Sequence, residues 1–415
     1  MVIVIVGGGI VGVATAYFLA RRGISSVILE RDSVACAASG KAGGFLAKDW
    51  CSHNEMDFLA KNGFALHMDL MKKLGSQCGY RCVDTYSVDA SENVSSRSVG
   101  GMPEWIGGKV SNFSRLGDQT TTAQVNPLLL TNELFQKSQE LTQNRTCVKI
   151  ARVVGLEFSS DDCPRITGVR VSTGDDSVET IAADLLLVAA GPWTKSVVEW
   201  FSSGSFPSRG FGGHRAHGVI VKPKQSPPCT VDATCLFVDY QGSGYSCEPE
   251  IYPRPDGTVY VCGLSDESPV PETSKVEFEP WRCARLREVV SKIAPCLEDA
   301  EVISEHACFL PLSPDGIPVI GPVPGMKGVY IGTGHSCWGI LTGPITGRIL
   351  AAMIARDSLA KPEPAQSGSA TSEAEEEARL GDQLLEDPHL RLFDPARFVI
   401  QPVGRRARQT TKKPT

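Results

Sequence analysis

Three glycines and one carboxylate near the N-terminus have the types and spacing to hold a dinucleotide. Gly7, Gly9 and Gly12 form G-x-G-x-x-G in the run M-V-I-V-I-V-G-G-G-I-V-G, and Glu30 follows about 18 residues after the last of them. In such a turn one glycine makes the tight bend, one lets backbone approach a pyrophosphate, and one lets the next helix pack closely. The helix N-terminus then turns free N–H groups and a positive dipole end toward the phosphates. A carboxylate at that distance accepts hydrogen bonds from an adenosine ribose. The glycine pattern alone is weak. It gains meaning only between a strand and a helix.

Those flanks are present. Val2–Val6 is an unbroken β-branched run, the pattern of a parallel strand that is apolar on both faces. Ile10–Arg22 reads as the helix, with Val11, Ala14, Phe18 and Leu19 at helical spacing, and Ser26–Leu29 as a second strand that delivers Glu30 and Arg31. The stretch Ala35–Ala47, A-C-A-A-S-G-K-A-G-G-F-L-A, is small enough for backbone to close on a ligand. Helices are expected over about Met56–Leu74 and Leu128–Leu141, with short strands near Tyr80–Val88 and a hairpin-like pair at Cys147–Phe158 and Ile166–Ser172. Ala183–Ala190 repeats the opening logic: an apolar strand runs into Gly191-Pro192-Trp193, a place for backbone to meet a ligand.

From Phe206 to Glu301 the chain alternates and prolines punctuate it. His217–Val221, Glu250–Pro253 and Thr258–Gly263 read as antiparallel strands able to wall a substrate pocket, with one helix over Trp281–Ile293. Ile317–Ile320, Gly328–Gly332 and a helix from about Gly343 to Ile354 return to the nucleotide-domain pattern. Lys361–Glu386, with its E-A-E-E-E, reads as a disordered acidic linker. The last residues, R-R-A-R-Q-T-T-K-K, read as a solvated basic tail.

Composition narrows the classes. The chain has 415 residues, 42% hydrophobic and 21% charged, an ordinary globular balance with room for two domains. A net charge of −6 argues against a general nucleic-acid binder. The fourteen cysteines are scattered without C-x-x-C or metal-ligand spacing, so reduced, buried thiols are expected and no metal. No leader precedes the first strand and no apolar run approaches a membrane span, which makes the cytoplasm the expected compartment.

Four segments together resemble the FAD-dependent oxidoreductases of the D-amino-acid-oxidase type, the group of glycine oxidase, sarcosine oxidase and D-amino-acid dehydrogenase. They are the N-terminal fingerprint with Glu30-Arg31, the loop Ser39–Ala47, D-L-L-L-V-A-A-G-P-W-T at Asp184–Thr194, and S-P-D-G-I-P-V-I-G with G-T-G-H-S-C-W-G-I at 313–321 and 332–340. S-G-K-A-G-G-F-L-A-K-D-W further resembles a eukaryotic subgroup of oxidoreductases whose substrates the motifs do not name. The resemblance implies an α/β architecture, a Rossmann-like FAD-binding domain with an inserted antiparallel-sheet substrate domain. On that reading 1–80, 118–204 and 305–360 build the FAD-binding domain, 81–117 and 205–304 the substrate domain, 361–386 the linker, and 387–415 the C-terminal segment and tail.

The resemblance implies FAD contacts at Gly7, Gly9, Ile10, Gly12, Glu30, Arg31, Ser39, Gly40, Lys41, Ala42, Gly43, Gly44, Val153, Ala190, Gly191, Trp193, Gly334, His335, Trp338, Gly339 and Ile340. The late helix, starting near Gly339 or Leu341, is placed to stabilise negative charge on a reduced flavin. Lys41 is a candidate cation beside the flavin or its pyrophosphate, and His335 a candidate ring-edge partner or amine base. Cys308, in C-F-L-P-L-S-P-D, matches a position where sarcosine oxidase-like members join a cysteine to the flavin; a buried reduced thiol is the other reading.

One departure matters. Glycine oxidase-like members place an Arg just before the Pro at 311, where it pairs with the substrate carboxylate; here that residue is Leu310. A carboxylate wants a bidentate guanidinium, so Arg254 or Arg215 supplies it or the substrate is not a simple amino acid. The expected activity is oxidation of a C–N bond in an amine or amino-acid-like small molecule, by hydride transfer to flavin N5 and hydrolysis of the imine. Oxygen or another acceptor takes the electrons. Two alternatives stay open: a flavin-fold protein used for binding or trafficking, and oxidation of a hydroxy acid.

Overall fold

The structure is a computed structural model and describes residues 1–75, 78–94, 101–174, 177–201, 206–224, 230–358 and 370–399. Its first sheet has six strands in the order Val319–Pro322, Val329–Thr333, Leu185–Val188, Ile3–Val6, Val27–Glu30, Cys147–Ile150. All neighbours are parallel except the edge pair Val319–Pro322 and Val329–Thr333. The β-branched opening run explains why Ile3–Val6 sits inside, since every one of its residues is buried. Successive side chains point to opposite faces. Ile3 and Ile5 join a core with helices Ile10–Ala20, Asp57–Leu74 and Gly339–Asp357, whereas Val4 and Val6 meet Ile166, Val169 and Val171 of a three-stranded antiparallel sheet. Helices cover one face and a small sheet the other.

The helix Gly339–Asp357 corrects the expectation about apolar runs. Ser336–Asp357 is long and apolar enough to cross a membrane, with mean hydropathy 1.3, but 78% of its window is buried within the protein. It lies against the first helix at very close range. A Cβ on Gly343 would stand 2.8 Å from Ile10 and one on Gly347 2.6 Å from Ala14, so those two glycines set the approach. This is a core helix.

The second large sheet has eight strands, in the path Glu301–Leu312, Gly212–Lys222, Val259–Asp266, Glu250–Pro253, Thr234–Gly242, Asp84–Ser91, Val110–Gly117, with Tyr245–Cys247 beside Thr234–Gly242. One of its faces buries Val219, Val261, Ile251 and Leu236 with helix Pro280–Ile293. Two expectations change here. The pairing of Thr234–Gly242 with Asp84–Ser91 is parallel, so the sheet is mixed. Glu301–Leu312 pairs along its whole length with Gly212–Lys222, so the sheet runs past residue 304 and the segment 305–360 opens with a strand of the substrate sheet.

The linker expectation fails over 370–386. Ala370–Glu386 is a helix. Its Ala, Glu and Leu residues are strong helix formers, and Glu377, wholly buried, makes a bidentate pair with Arg348 at 2.8 and 3.0 Å. Arg22 Nη2 also donates to the Glu377 carbonyl at 3.1 Å. Composition suggested solvation because it does not show that one glutamate meets a buried arginine. Residues 361–369 and the basic run within 400–415 lie outside the described residues. Among the described residues twelve cysteines are free; six of them are buried and Cys337 is exposed, so the expectation of buried thiols holds for half.

Candidate cofactor and active site

A cavity of about 400 Å3 extends from the first glycine turn to the junction of the two large sheets. Small-molecule pockets span roughly 300–1,000 Å3. At one end Gly7, Gly9, Ile10, Glu30, Arg31, Ser39, Val153, Ala190, Gly191 and Trp193 line it; at the other stand Leu310, Pro311, Thr333, His335, Gly339 and Ile340.

Backbone geometry makes the first end. Gly7 has φ +111°, and a Cβ there would lie 2.3 Å from the Ala189 carbonyl oxygen. Gly12 does not line the cavity. A Cβ on it would lie 2.1 Å from the Gly7 carbonyl oxygen, so its part is to let the helix close on the turn. Ser39 Oγ accepts from the Ile10 N–H at 2.9 Å, and Glu30 accepts from the N–H groups of Gly8 at 2.8 Å and Asp32 at 3.1 Å. The Glu30 carboxylate is thus fixed at the cavity wall, with lone pairs left for a diol.

The connection between strand Val259–Asp266 and helix Pro280–Ile293 closes over this end. Arg31 lies 5.0 Å from the Trp193 ring centre and donates to the Glu272 carbonyl. Trp193 Nε1 donates to the Pro271 carbonyl at 2.5 Å, and the Ser274 hydroxyl meets Asp32. Glu272, Ser274, Arg152, Trp200, Pro311, Thr333 and Cys337 line the cavity, and sequence reasoning missed them. P-E-T-S at 271–274 has no motif; its one signal was a loop position between a strand and a helix.

Within the small-residue loop only Ser39 and Ala42, with Ala35 and Cys36 to Ala38, reach the cavity. Gly40, Lys41, Gly43 and Gly44 do not line it. A Cβ at Gly40 would strike the Ala35 carbonyl, one at Gly44 the Val125 carbonyl and one at Gly43 the Tyr252 ring, so these glycines serve the loop's own passage. Gly334 and Trp338 likewise face a neighbouring hollow with Asn54, Met56 and Ile317.

The three candidates for chemistry fare differently from the cofactor residues. Lys41 is half-buried, and its Nζ donates to the Ala307 carbonyl at 3.3 Å. The His335 ring, 2% exposed, meets Thr346 Oγ1 at 3.0 Å inside the late helix, and burial takes its pKa down to about 4. That imidazole is neutral at pH 7, one ring nitrogen is held by Thr346, and the lowered pKa makes it a weaker base than an ordinary histidine. Arg254 is off the cavity wall. Its guanidinium lies 4.9 Å from the Tyr260 ring centre, donates to the Ala42 carbonyl at 3.5 Å, and burial lowers its pKa. Arg215 is committed to Asp266 and Glu279 at 2.9 and 3.2 Å. Cys308 is buried and not in the lining; burial pushes its thiol up to about 11 against the opposing charge of Lys41.

The arrangement fits FAD. A helix N-terminus at Ile10 faces the place for a pyrophosphate, Glu30 the place for a ribose, and a second helix opens at Gly339 at the far end, its positive dipole end turned to the cavity. Comparison with known proteins agrees. The family model for the FAD dependent oxidoreductases matches residues 3–353. A Schizosaccharomyces pombe protein, designated only provisionally as an oxidoreductase, is 31% identical over 379 residues, covering 85% of this chain and 93% of its own. Glycine oxidase of Pseudomonas aeruginosa is 26% identical over 387 residues, 87% of this chain and 97% of its own. In fold, glycine oxidase from Bacillus cereus superposes with a TM-score of 0.69 at 21% identity, over 86% of this chain and 97% of that one. L-amino acid deaminase from Proteus vulgaris does so at 0.63 and 16%, over 88% and 95%. A cradle built at both ends for one long cofactor, and a family match over nearly the whole described chain, place this protein in the D-amino-acid-oxidase family of FAD-dependent oxidoreductases.

Proposed function

We propose that the protein oxidises the C–N bond of an amine or amino-acid-like small molecule. Bound FAD would supply the acceptor for a hydride from the carbon beside the nitrogen, with oxygen or another acceptor taking the electrons in turn and water hydrolysing the imine. The observation that carries the reading is the meeting of cavity and sheet: Leu310 and Pro311 of the eight-stranded sheet stand in the cavity wall with His335, Gly339 and Ile340 of the nucleotide fold. A small molecule held on the sheet lies beside the ring end of the cofactor. Glycine oxidases and an L-amino acid deaminase among the similar proteins support a C–N substrate.

This chain's own groups hold, orient and exclude water. His335, neutral and bonded to Thr346, holds the late turn at the cavity wall. The test is anaerobic: flavin absorbance of the purified holoprotein is followed against a panel of amines, amino acids and hydroxy acids. Bleaching by at least one amine or amino acid is the expected result. Bleaching by hydroxy acids alone, or by none of the panel, overturns the reading.

A further inference from the structure

Residues 267–279 join strand Val259–Asp266 to helix Pro280–Ile293 and form neither strand nor helix of their own. One side chain ties both ends of this strap. Arg215 pairs with Asp266 at 2.9 Å and with Glu279 at 3.2 Å, and its Nη1 donates to the Glu277 carbonyl at 3.0 Å. His217 Nε2 accepts from the Glu279 N–H at 3.1 Å. Val276 is buried with Ala307 and Phe309, on the strand that carries Leu310 into the cavity wall. The base of the strap is fixed.

Its tip, 271–274, is held in another way. It crosses to the nucleotide fold and meets residues beside Glu30. Arg31 donates to the Glu272 carbonyl, Ser274 Oγ donates to Asp32, and Trp193 Nε1 donates to the Pro271 carbonyl at 2.5 Å. Little apolar surface supports these bonds: Glu272 and Thr273 are exposed, Pro271 is half-buried, and only Ser274 of the four is buried. A segment held by a few hydrogen bonds opens at far lower cost than the core.

The tip also stands at the mouth of the cavity. Glu272 and Ser274 line it, and the exposed side chains of Glu272 and Arg152, another lining residue, bring their charged groups to 3.6 Å. Asp32, which anchors the tip, gives its N–H to the Glu30 carboxylate at 3.1 Å. The latch and the place for the ribose are thus built on the same short stretch of chain.

We propose that the strap is a clasp over the adenosine half of FAD. Its tip unlatches from Arg31, Asp32 and Trp193 to let the cofactor in or out, turning about the base that Arg215 fixes. The glycine turn then sets how tightly FAD is held, and the latch sets how fast it is exchanged. The latch bonds run from protein to protein, so loosening them raises the open population whether or not FAD is present and quickens passage in both directions. Loss of an ordinary cofactor contact would quicken exit alone.

FAD fluorescence tests this without turnover. Release is timed after dilution of the holoprotein, and entry by mixing the stripped protein with FAD. Asp32 lies outside the cavity lining, so Asp32→Ala loosens the latch without removing a cofactor contact. Entry and release are both expected to quicken about 10-fold, as suits the loss of one hydrogen bond to a charged acceptor, with their ratio kept within about threefold. Asp32→Asn, which keeps an acceptor, should fall between. Faster release at unchanged entry makes the strap a simple contact and overturns the clasp, as do two unchanged rates. The unaltered holoprotein supplies a second arm that stands even if Asp32→Ala does not fold. Lys275 is exposed and lies between the tip and the base, so trypsin cutting after it severs the strap's return to Glu279. Protein nicked there, as identified by mass, should exchange FAD about 10-fold faster. Nicked protein that exchanges FAD at the intact rate overturns the clasp.

Discussion

The two ends of the cavity are built on different principles. At the nucleotide end the contacts come from backbone, and the residue types are dictated by space: Gly7 and Gly12 stand where any Cβ would collide with a carbonyl. At the sheet end the wall comes from side chains far apart in sequence, Leu310 and Pro311 of the sheet with Thr333, His335 and Ile340, and no spacing rule connects them. Backbone recognition leaves a signature and tolerates nothing larger. Side-chain recognition leaves none and tolerates exchange, at the cost of specificity.

The largest expected contrast follows from that. Gly12→Val puts methyl groups where the Gly7 carbonyl lies 2.1 Å from even a Cβ, so the turn opens and the protein purifies colourless; flavin absorbance relative to protein measures it. A variant that keeps full FAD would erase the distinction between the two ends. The next effect belongs to the frame behind the nucleotide end. Glu377→Ala leaves Arg348 buried and unpaired and should cost about 3–5 kcal/mol, read as a shift in the chemical denaturation midpoint.

Acid should weaken the same half. His67, wholly buried with Nε2 on the Ile340 carbonyl at 2.8 Å, and His335 both have pKa values taken down to about 4 by burial. The unfolded chain binds protons on these rings near pH 6.5 and the folded one does not, so their stabilisation is full above 6.5. It is lost as pH falls toward about 4, by about 3 kcal/mol for each ring. Denaturation midpoints across that window should fall less in a His67→Gln variant, relative to its own value at pH 7.

A smaller effect is expected at the ribose end. Glu30→Gln keeps the shape and removes the charge behind its hydrogen bonds, and should weaken FAD binding about 10-fold, roughly 1.4 kcal/mol. Reconstitution of the apoprotein at increasing FAD measures it. Last comes Cys308. Its thiol is neutral and off the cavity wall, so acid precipitation should release all the flavin and Cys308→Ser should leave FAD content unchanged. Flavin retained in the pellet would tie the sheet end to the cofactor covalently and blur the contrast.

Legibility followed the same divide. The strand Ile3–Val6, the glycine turn, Glu30, the strand into Gly191 and the turn at His335 could be read from sequence because each is local and dictated by backbone needs. Gly40, Gly43 and Gly44 misled for a related reason, since a glycine required by a neighbouring carbonyl or ring looks the same as one required by a ligand. Glu272 and Ser274 carried no signal: P-E-T-S has no motif, and the bonds from Arg31 to the Glu272 carbonyl and from Trp193 to the Pro271 carbonyl bring that loop to the cavity. The helix Ala370–Glu386 was hidden because acidic composition and helix-forming composition overlap, and the arginine that decides between them lies 29 residues away.

The strand order has a consequence for how the chain is made. Ile3 pairs with Leu185, and Leu186 in turn with Val329. A chain leaving the ribosome therefore carries its first strand for some 180 residues before one neighbour exists, and Leu185–Val188 keeps an open apolar edge until Val329–Thr333 appears. Contacts so remote in sequence form slowly and leave unpaired edges exposed meanwhile. The pyrophosphate turn is translated first, yet the sheet behind it and the helix at Gly339 come among the last parts, so FAD is captured by a nearly finished chain. Synthesis cut short near residue 330 yields a nucleotide turn with no cofactor to hold and an edge prone to pair with other chains.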